Sequence, residues 1–131
     1  MKHHGKFILG CLVAAASATA HAGSLSNSAT YSAVSAEIIS FDRATGNLFA
    51  TANTQVECID FANPASLSRK FLVSFPDVFE SGIAVANVSS VAADPLGRGF
   101  AAAALINDHD TTVPGRVVLF DTETGAVIAG F

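Results

Sequence analysis

Short apolar runs of strand length, each closed by turn residues, follow one another from residue 36 onward. "EIISF", "NLFATA", "VECIDF" and "KFLVSF" are rich in Ile, Val, Phe and Thr, which predicts four antiparallel strands. After the connector "PDVFESGIAVAN" the pattern returns as "VSSVAAD", "GFAAAALI", "RVVLFD" and "AVIAGF". Setting "ISFDRATGNLFAT" against "VAADPLGRGFAAA", and "QVECIDF" against "RVVLFDT", matches Asp42 with Asp94 and Asp60 with Asp121. The offsets are 52 and 61 residues, because the second copy carries the longer loop "NDHDTTVPG". A four-stranded unit recurring every ~40–50 residues is the mark of a β-propeller blade. The expected fold is therefore all-β, with antiparallel four-stranded blades forming an incomplete β-propeller of about two blades. The expected bounds are a blade over 36–75, a connector over 76–87 and a second blade over 88–131.

The regularly placed aspartates have a turn-making role in this scheme. An Asp at the head of a turn accepts hydrogen bonds from amides a few residues on, and Gly supplies the positive φ that closes the hairpin. Asp42 with Gly46, Asp60, Asp94 with Gly97, and Asp121 with Gly125 fit that pattern. In an up-and-down sheet all four turns lie at one end. The other end, where propellers place binding groups, then takes "PDVFESGIAVAN" and "NDHDTTVPG". Asp77, Glu80, Asn107, Asp108, His109 and Asp110 are the candidate ligand-face residues.

Half of the 131 residues are apolar and 14% are charged, a globular composition. Residues 1–22 have a basic start, an apolar middle and the small-residue end "AHA", the pattern of a secretory signal peptide cleaved after Ala22. The apolar run is too short for a membrane span. Residues 23–35, rich in Ser, Ala and Asn, are expected as a flexible lead-in. Cleavage would remove Lys2, Lys6 and Cys11, leaving five basic residues against 11 acidic ones, a net charge of −6, and one cysteine. Nucleic acid and anionic membranes are poor partners for such a chain. The expected location is secreted or periplasmic, in a bacterium.

"AEIISFDRATGNLFATANTQVECIDFANPASL" resembles the opening blade of the secreted choice-of-anchor I propeller family, related to the mesenchyme-specific cell-surface glycoprotein group. "NVSSVAA" and "PGRVVLFDTETGAVIAGF" are similar to its next blade. The resemblance implies an exported propeller of several hundred residues. The loop "NDHDTTV" departs from the family pattern, so no ligand role is carried over to it. The chain stops at Phe131 inside an expected strand, and two blades leave apolar faces bare. A truncated product is expected, or one that needs remaining propeller blades or partner chains to cover those faces.

Two chemical readings compete with a binding or structural module. "GRGFAA" spells G-x-G-x-x-A, with Gly97 and Gly99 followed by Asp121 at ribose-binding distance, which would suit a dinucleotide βαβ fold with a helix over "FAAAALINDHD". Asp94-Pro95 and Pro114-Gly115 interrupt its strands, and the propeller repeat explains the same residues. The other is a part of an exported propeller enzyme whose catalytic residues lie in missing blades. "NDHD" lacks the ligand alternation of an EF-hand and reads as a solvated loop. His109 is the single histidine after cleavage, which leaves zinc without nitrogen partners and a triad with one possible base. No G-x-S-x-G elbow is present. No catalytic residue, cofactor or metal is assigned, and the ligand or protein partner is unknown. Cys58 is expected as a small buried hydrophobe. "NVS" at Asn87 matches a glycosylation acceptor, but the expected signal peptide looks bacterial and a match this short is expected by chance. Phe41, Phe49, Phe61, Phe71, Phe75, Phe100 and Phe120 are expected in the core.

Overall fold

The computed structural model describes residues 29–33, 35–80, 82–109 and 112–131. The expected signal peptide and Asp110 lie outside them. Eight strands follow in order: β1 (Ile39–Asp42), β2 (Asn47–Ala52), β3 (Gln55–Asp60), β4 (Ser68–Val73), β5 (Val85–Ala93), β6 (Phe100–Asn107), β7 (Arg116–Asp121) and β8 (Val127–Gly130). They form two four-stranded antiparallel sheets, β1-β2-β3-β4 and β5-β6-β7-β8. The fold is all-β, and among the described residues none is helical or able to cross a membrane as a helix. Seven of the eight expected runs hold their place to within two residues at either end. The exception, β5, starts at Val85, inside the expected connector.

The helix of the dinucleotide reading is absent. "FAAAALIN" is β6, paired along its length with β7. A ladder with Ala101 opposite Phe120 and Ala103 opposite Val118 leaves Gly97 and Gly99 in a hairpin turn, not at a helix N-terminus. Gly97, Gly99 and Asp121 are therefore set aside as a nucleotide site.

The core is a single apolar layer between the sheets. Phe49, Val56, Cys58 and Val73 of the first sheet meet Val88, Val91, Ala101, Ala103, Leu105, Val118 and Phe120 of the second, with Phe75 and Phe79 closing one end. Phe49 and Phe120 meet edge to face at 5.3 Å, and Phe75 meets Phe120 at 6.3 Å. Backbone and polar ties stitch the same junction. Asn47, fully buried, donates from Nδ2 to the Thr122 carbonyl at 3.1 Å, while its Oδ1 accepts from Lys70 Nζ at 3.0 Å. Ser40 Oγ accepts from the Ala93 amide at 2.9 Å, and the Val88 amide donates to the Asn53 carbonyl at 2.7 Å.

Three of the expected core phenylalanines differ. Phe41 is 53% exposed on the far face of the first sheet, edge to face with Phe61 at 5.9 Å, and Phe61 is itself half-buried. Phe100 is half-buried beneath the Arg98 guanidinium, 5.1 Å from its ring centroid. Strand alternation assigns these rings a face, and that face carries no second sheet here.

The two sheets present corresponding faces in the same direction. Phe41 and Ala93 each precede a turn aspartate, and they pair with Leu48 and Ala101. Asp42 lies opposite Asn47, whereas the Asp94 amide donates to the Phe100 carbonyl, so the second hairpin is one residue longer. This moves the sequence alignment by one: Phe49 corresponds to Ala102, and Leu48 to Ala101. Phe49 with its partner Cys58 faces the second sheet, whereas the corresponding pair, Ala102 with Leu119, faces away from the first.

If the Phe49–Phe120 contact centres the junction, Phe120→Ala removes apolar volume from a site with no solvent access. Denaturant unfolding should show a loss of about 3–5 kcal/mol, with both sheets melting together.

Candidate functional site

The four turn aspartates gather at one end. Asp42 is buried, its Oδ1 accepting from the Ala44 amide at 3.0 Å and its Oδ2 from Thr45 Oγ1 at 2.7 Å. Burial pushes its pKa up, but the Thr45 and Ala44 hydrogen bonds outweigh that and hold the carboxyl below its usual range. The Thr122 hydroxyl also favours the ionised form, though it lies outside hydrogen-bond geometry. Asp60 Oδ1 accepts from the Ala62 amide at 2.9 Å. Asp121 Oδ1 accepts from the Thr124 amide at 2.8 Å, the Thr124 hydroxyl at 2.9 Å and the Glu123 amide at 3.0 Å, with Thr124 lowering its pKa most.

Asp94 forms a two-pronged pair with Arg98, Oδ2 to Nε at 2.9 Å and Oδ1 to Nη2 at 3.0 Å, and Oδ2 also accepts the Arg98 amide. The Arg98 side-chain bonds are the largest influence and hold the Asp94 pKa down to about 2. Gly46 and Gly125 adopt φ of +71° and +75°, and a Cβ at Gly125 would sit 2.9 Å from the Phe71 ring. Further bonds join the turns to each other, Phe61 amide to Gly46 carbonyl at 3.1 Å and Thr122 amide to Gly99 carbonyl at 3.0 Å. Each carboxylate is thus engaged by its own turn.

The opposite end is built from the Asn53-Thr54 turn, the β4–β5 connector and the β6–β7 loop. Asp108 joins the last two: its Oδ1 accepts from the Ala84 amide at 2.8 Å and its own amide donates to the Ala84 carbonyl at 3.0 Å. Asn107 is buried and closes its own loop, donating to the Val113 carbonyl at 2.8 Å and accepting from the His109 amide at 2.9 Å. His109 is exposed, its Nδ1 4.0 Å from Asp108 Oδ1.

Two open cavities adjoin there, sharing Phe79 and Ile83. One, of about 440 Å³, is lined by Thr54, Gln55, Ser74, Phe75 and Asp77 among others. The second, of about 400 Å³, is lined by Glu80, Thr112, Val113, Pro114, Arg116 and Phe131. Asp77 holds a φ of +56°, a left-handed conformation that Asp tolerates better than most residues. Of the expected ligand-face residues, the structure brings Asp77 and Glu80 to these cavities, whereas Asp108 ties the connector to the loop and, like His109, lines neither. Asn107 is turned inward to hold the loop. Among the described residues, no group of three or more His, Cys, Asp or Glu side chains is placed to hold a metal ion.

Sequence reasoning missed Glu57. Its side chain is 1% exposed on the far face of the first sheet, where Oε1 accepts the Tyr31 hydroxyl at 2.6 Å and lies 3.5 Å from Arg69 Nη1. Burial first and then the bond to Glu57 raise the Tyr31 pKa. The signal was the alternation of "VECID", which puts Glu57 on the face of neither Val56 nor Cys58. Cys58 itself is fully buried, and burial lifts its thiol to about 11 despite the opposing charge of Lys70. It is no nucleophile at neutral pH.

No protein-family model and no curated protein matches the chain.

The Asp94–Arg98 pair makes a pH prediction. The folded-state value lies below the ordinary 3.8, so ionised Asp94 stabilises the fold in full above about pH 4, and this fades as the pH falls towards 2. Unfolding midpoints of the wild type and Asp94→Asn should therefore differ at neutral pH and converge by about pH 2. A constant gap across that window would show that the pair contributes nothing through charge.

Proposed function

We propose that the two sheets are consecutive blades of an exported β-propeller of the choice-of-anchor I type, and that it acts as a binding or structural module. The observation that carries this reading is the direction of the corresponding faces. In a two-sheet sandwich the outward faces are polar, and the inner faces alone form the core. Here Phe49 faces the second sheet while its counterpart Ala102 faces away from the first. Both outward faces also carry exposed apolar side chains: Ile39 and Phe41 on one, Ile106 and Val117 on the other. Sheets that succeed one another around an axis have this relation, each using one face for the neighbour before it and one for the neighbour after.

The binding end is then the one that holds the two cavities. The turn end has its carboxylates engaged internally, whereas Asp77, Glu80 and Arg116 border open space between apolar walls of Phe75, Phe79 and Ile83. A few polar groups against an apolar wall is the usual make-up of a ligand site.

Two-dimensional NMR of the ¹⁵N-labelled chain against a small-fragment library tests the site. Amide shifts should cluster at Thr54, Gln55, Phe79, Ile83 and Val113. Shifts centred on Asp42, Asp94 and Asp121 would place binding at the wrong end and overturn the assignment.

A further inference from the structure

The far face of the first sheet, turned away from the second, is covered in part by residues that precede β1. The Tyr31 hydroxyl donates to Glu57 Oε1 at 2.6 Å, and Arg69 Nη1 approaches the same oxygen at 3.5 Å. The amides of Glu37 and Ile38 both donate to Thr51 Oγ1 at 3.2 Å, and the Thr51 amide donates to the Ile38 carbonyl at 3.0 Å. The chain is thus tied to the sheet on both sides of Ala33 and Ala36. This cover accounts for the burial of Ala50 and Ile59, 1% and 4% exposed on a face with no sheet against it.

The cover does not lie flush. Beneath it is a cavity of about 230 Å³, walled by Ile39, Leu48, Ile59, Phe61 and Leu67, where the small side chains of Ala33, Ala36 and Ala50 leave the space. Phe41 braces the Phe61 ring edge to face at 5.9 Å. Tyr31 is the one polar side chain in the lining, and its hydroxyl is already engaged by Glu57. Water gains little in such a space, since it needs about two to four polar partners.

We infer that this cavity is a binding site for a small uncharged hydrocarbon, a ring with a short substituent or a chain of similar bulk. The size follows from the volume: a cavity of ~150 Å³ lined by Leu, Ile and Phe takes benzene, and this one is about half as large again. The chemistry follows from the lining, because an ion would lose its hydration there and find no partner. The residues tied above the sheet deny its face to a second flat apolar surface and leave a concavity, which suits a small molecule better than a protein. Ile39, 63% exposed at the rim, gives that molecule apolar surface to cover. The site shares no lining residue with the two cavities at the loop end, and the inference does not rest on the propeller reading.

Titration with toluene, followed by methyl NMR of the ¹³C-labelled chain, tests this. The ring current of the bound aromatic should shift the methyls of Ala36, Leu48, Ala50 and Ile59 saturably. Tyr31 is the single tyrosine and the chain has no tryptophan, so its fluorescence reports on the same site, and cyclohexane, which does not absorb, should change it saturably. Ala36 is exposed, so Ala36→Phe fills the cavity from its rim and leaves the chain folded, which circular dichroism checks. It should weaken toluene binding by about tenfold or more. Ile39→Glu, also at an exposed position, should weaken it by a similar factor, since a charge replaces part of the apolar wall. Shifts no larger at these methyls than at Val117 and Ile128 of the second sheet, a linear response without saturation, or an Ala36→Phe chain that binds as the wild type does would each overturn the inference.

Discussion

The edge-to-face contact of Phe49 with Phe120, and the apolar layer around it, is the constraint on which the rest of the structure depends. Neither four-stranded meander can bury two faces alone, and each has apolar side chains on both. The layer solves half of that problem by using one face of each sheet. It also fixes Cys58 as an inert thiol, since burial among Phe49, Val56 and Phe71 disfavours the thiolate. An aromatic pair of this geometry contributes about 0.5–1.5 kcal/mol beyond the area it buries. Most of the stabilisation is therefore apolar area.

The two ends of the molecule divide their work. At the turn end, Asn47 reaches across to Thr122, and four aspartates satisfy amides of their own turns. Those side chains are committed to holding the chain. At the other end, one residue, Asp108, ties the loop to the connector, and the remaining polar groups border two cavities. Polar side chains are thus committed to the chain's own turns at one end and border open space at the other.

The strands were readable because each is a run of β-formers bounded by Asp, Gly or Pro, and β2, β6 and β7 fall where those runs fall. The aspartate turns were readable for the same local reason. Which face a strand covers was not. Phe41 and Phe49 look alike in sequence, yet only Phe49 has a sheet against it. The extra residue in the Asp94 hairpin was hidden because the glycines of "LGRG" align as well one way as the other, and only the ladder decides. The dinucleotide spacing of Gly97, Gly99 and Asp121 arises from a hairpin followed by two strands. Asn107 was a plausible ligand by residue type, but a buried amide that closes its own loop cannot be told from an exposed one without the fold. Buried Glu57 needs the position of Tyr31, far away in sequence, to be explained.

Native-state hydrogen exchange at the amides of β2, β3, β6 and β7 tests most directly whether one shared layer holds both sheets. If it does, the slowest amides of the two sheets exchange with the same opening free energy. That agreement should persist as denaturant is added. Distinct opening energies, with one sheet exchanging while the other stays protected, would mean that the sheets are independently stable, and the account built on their junction would be wrong.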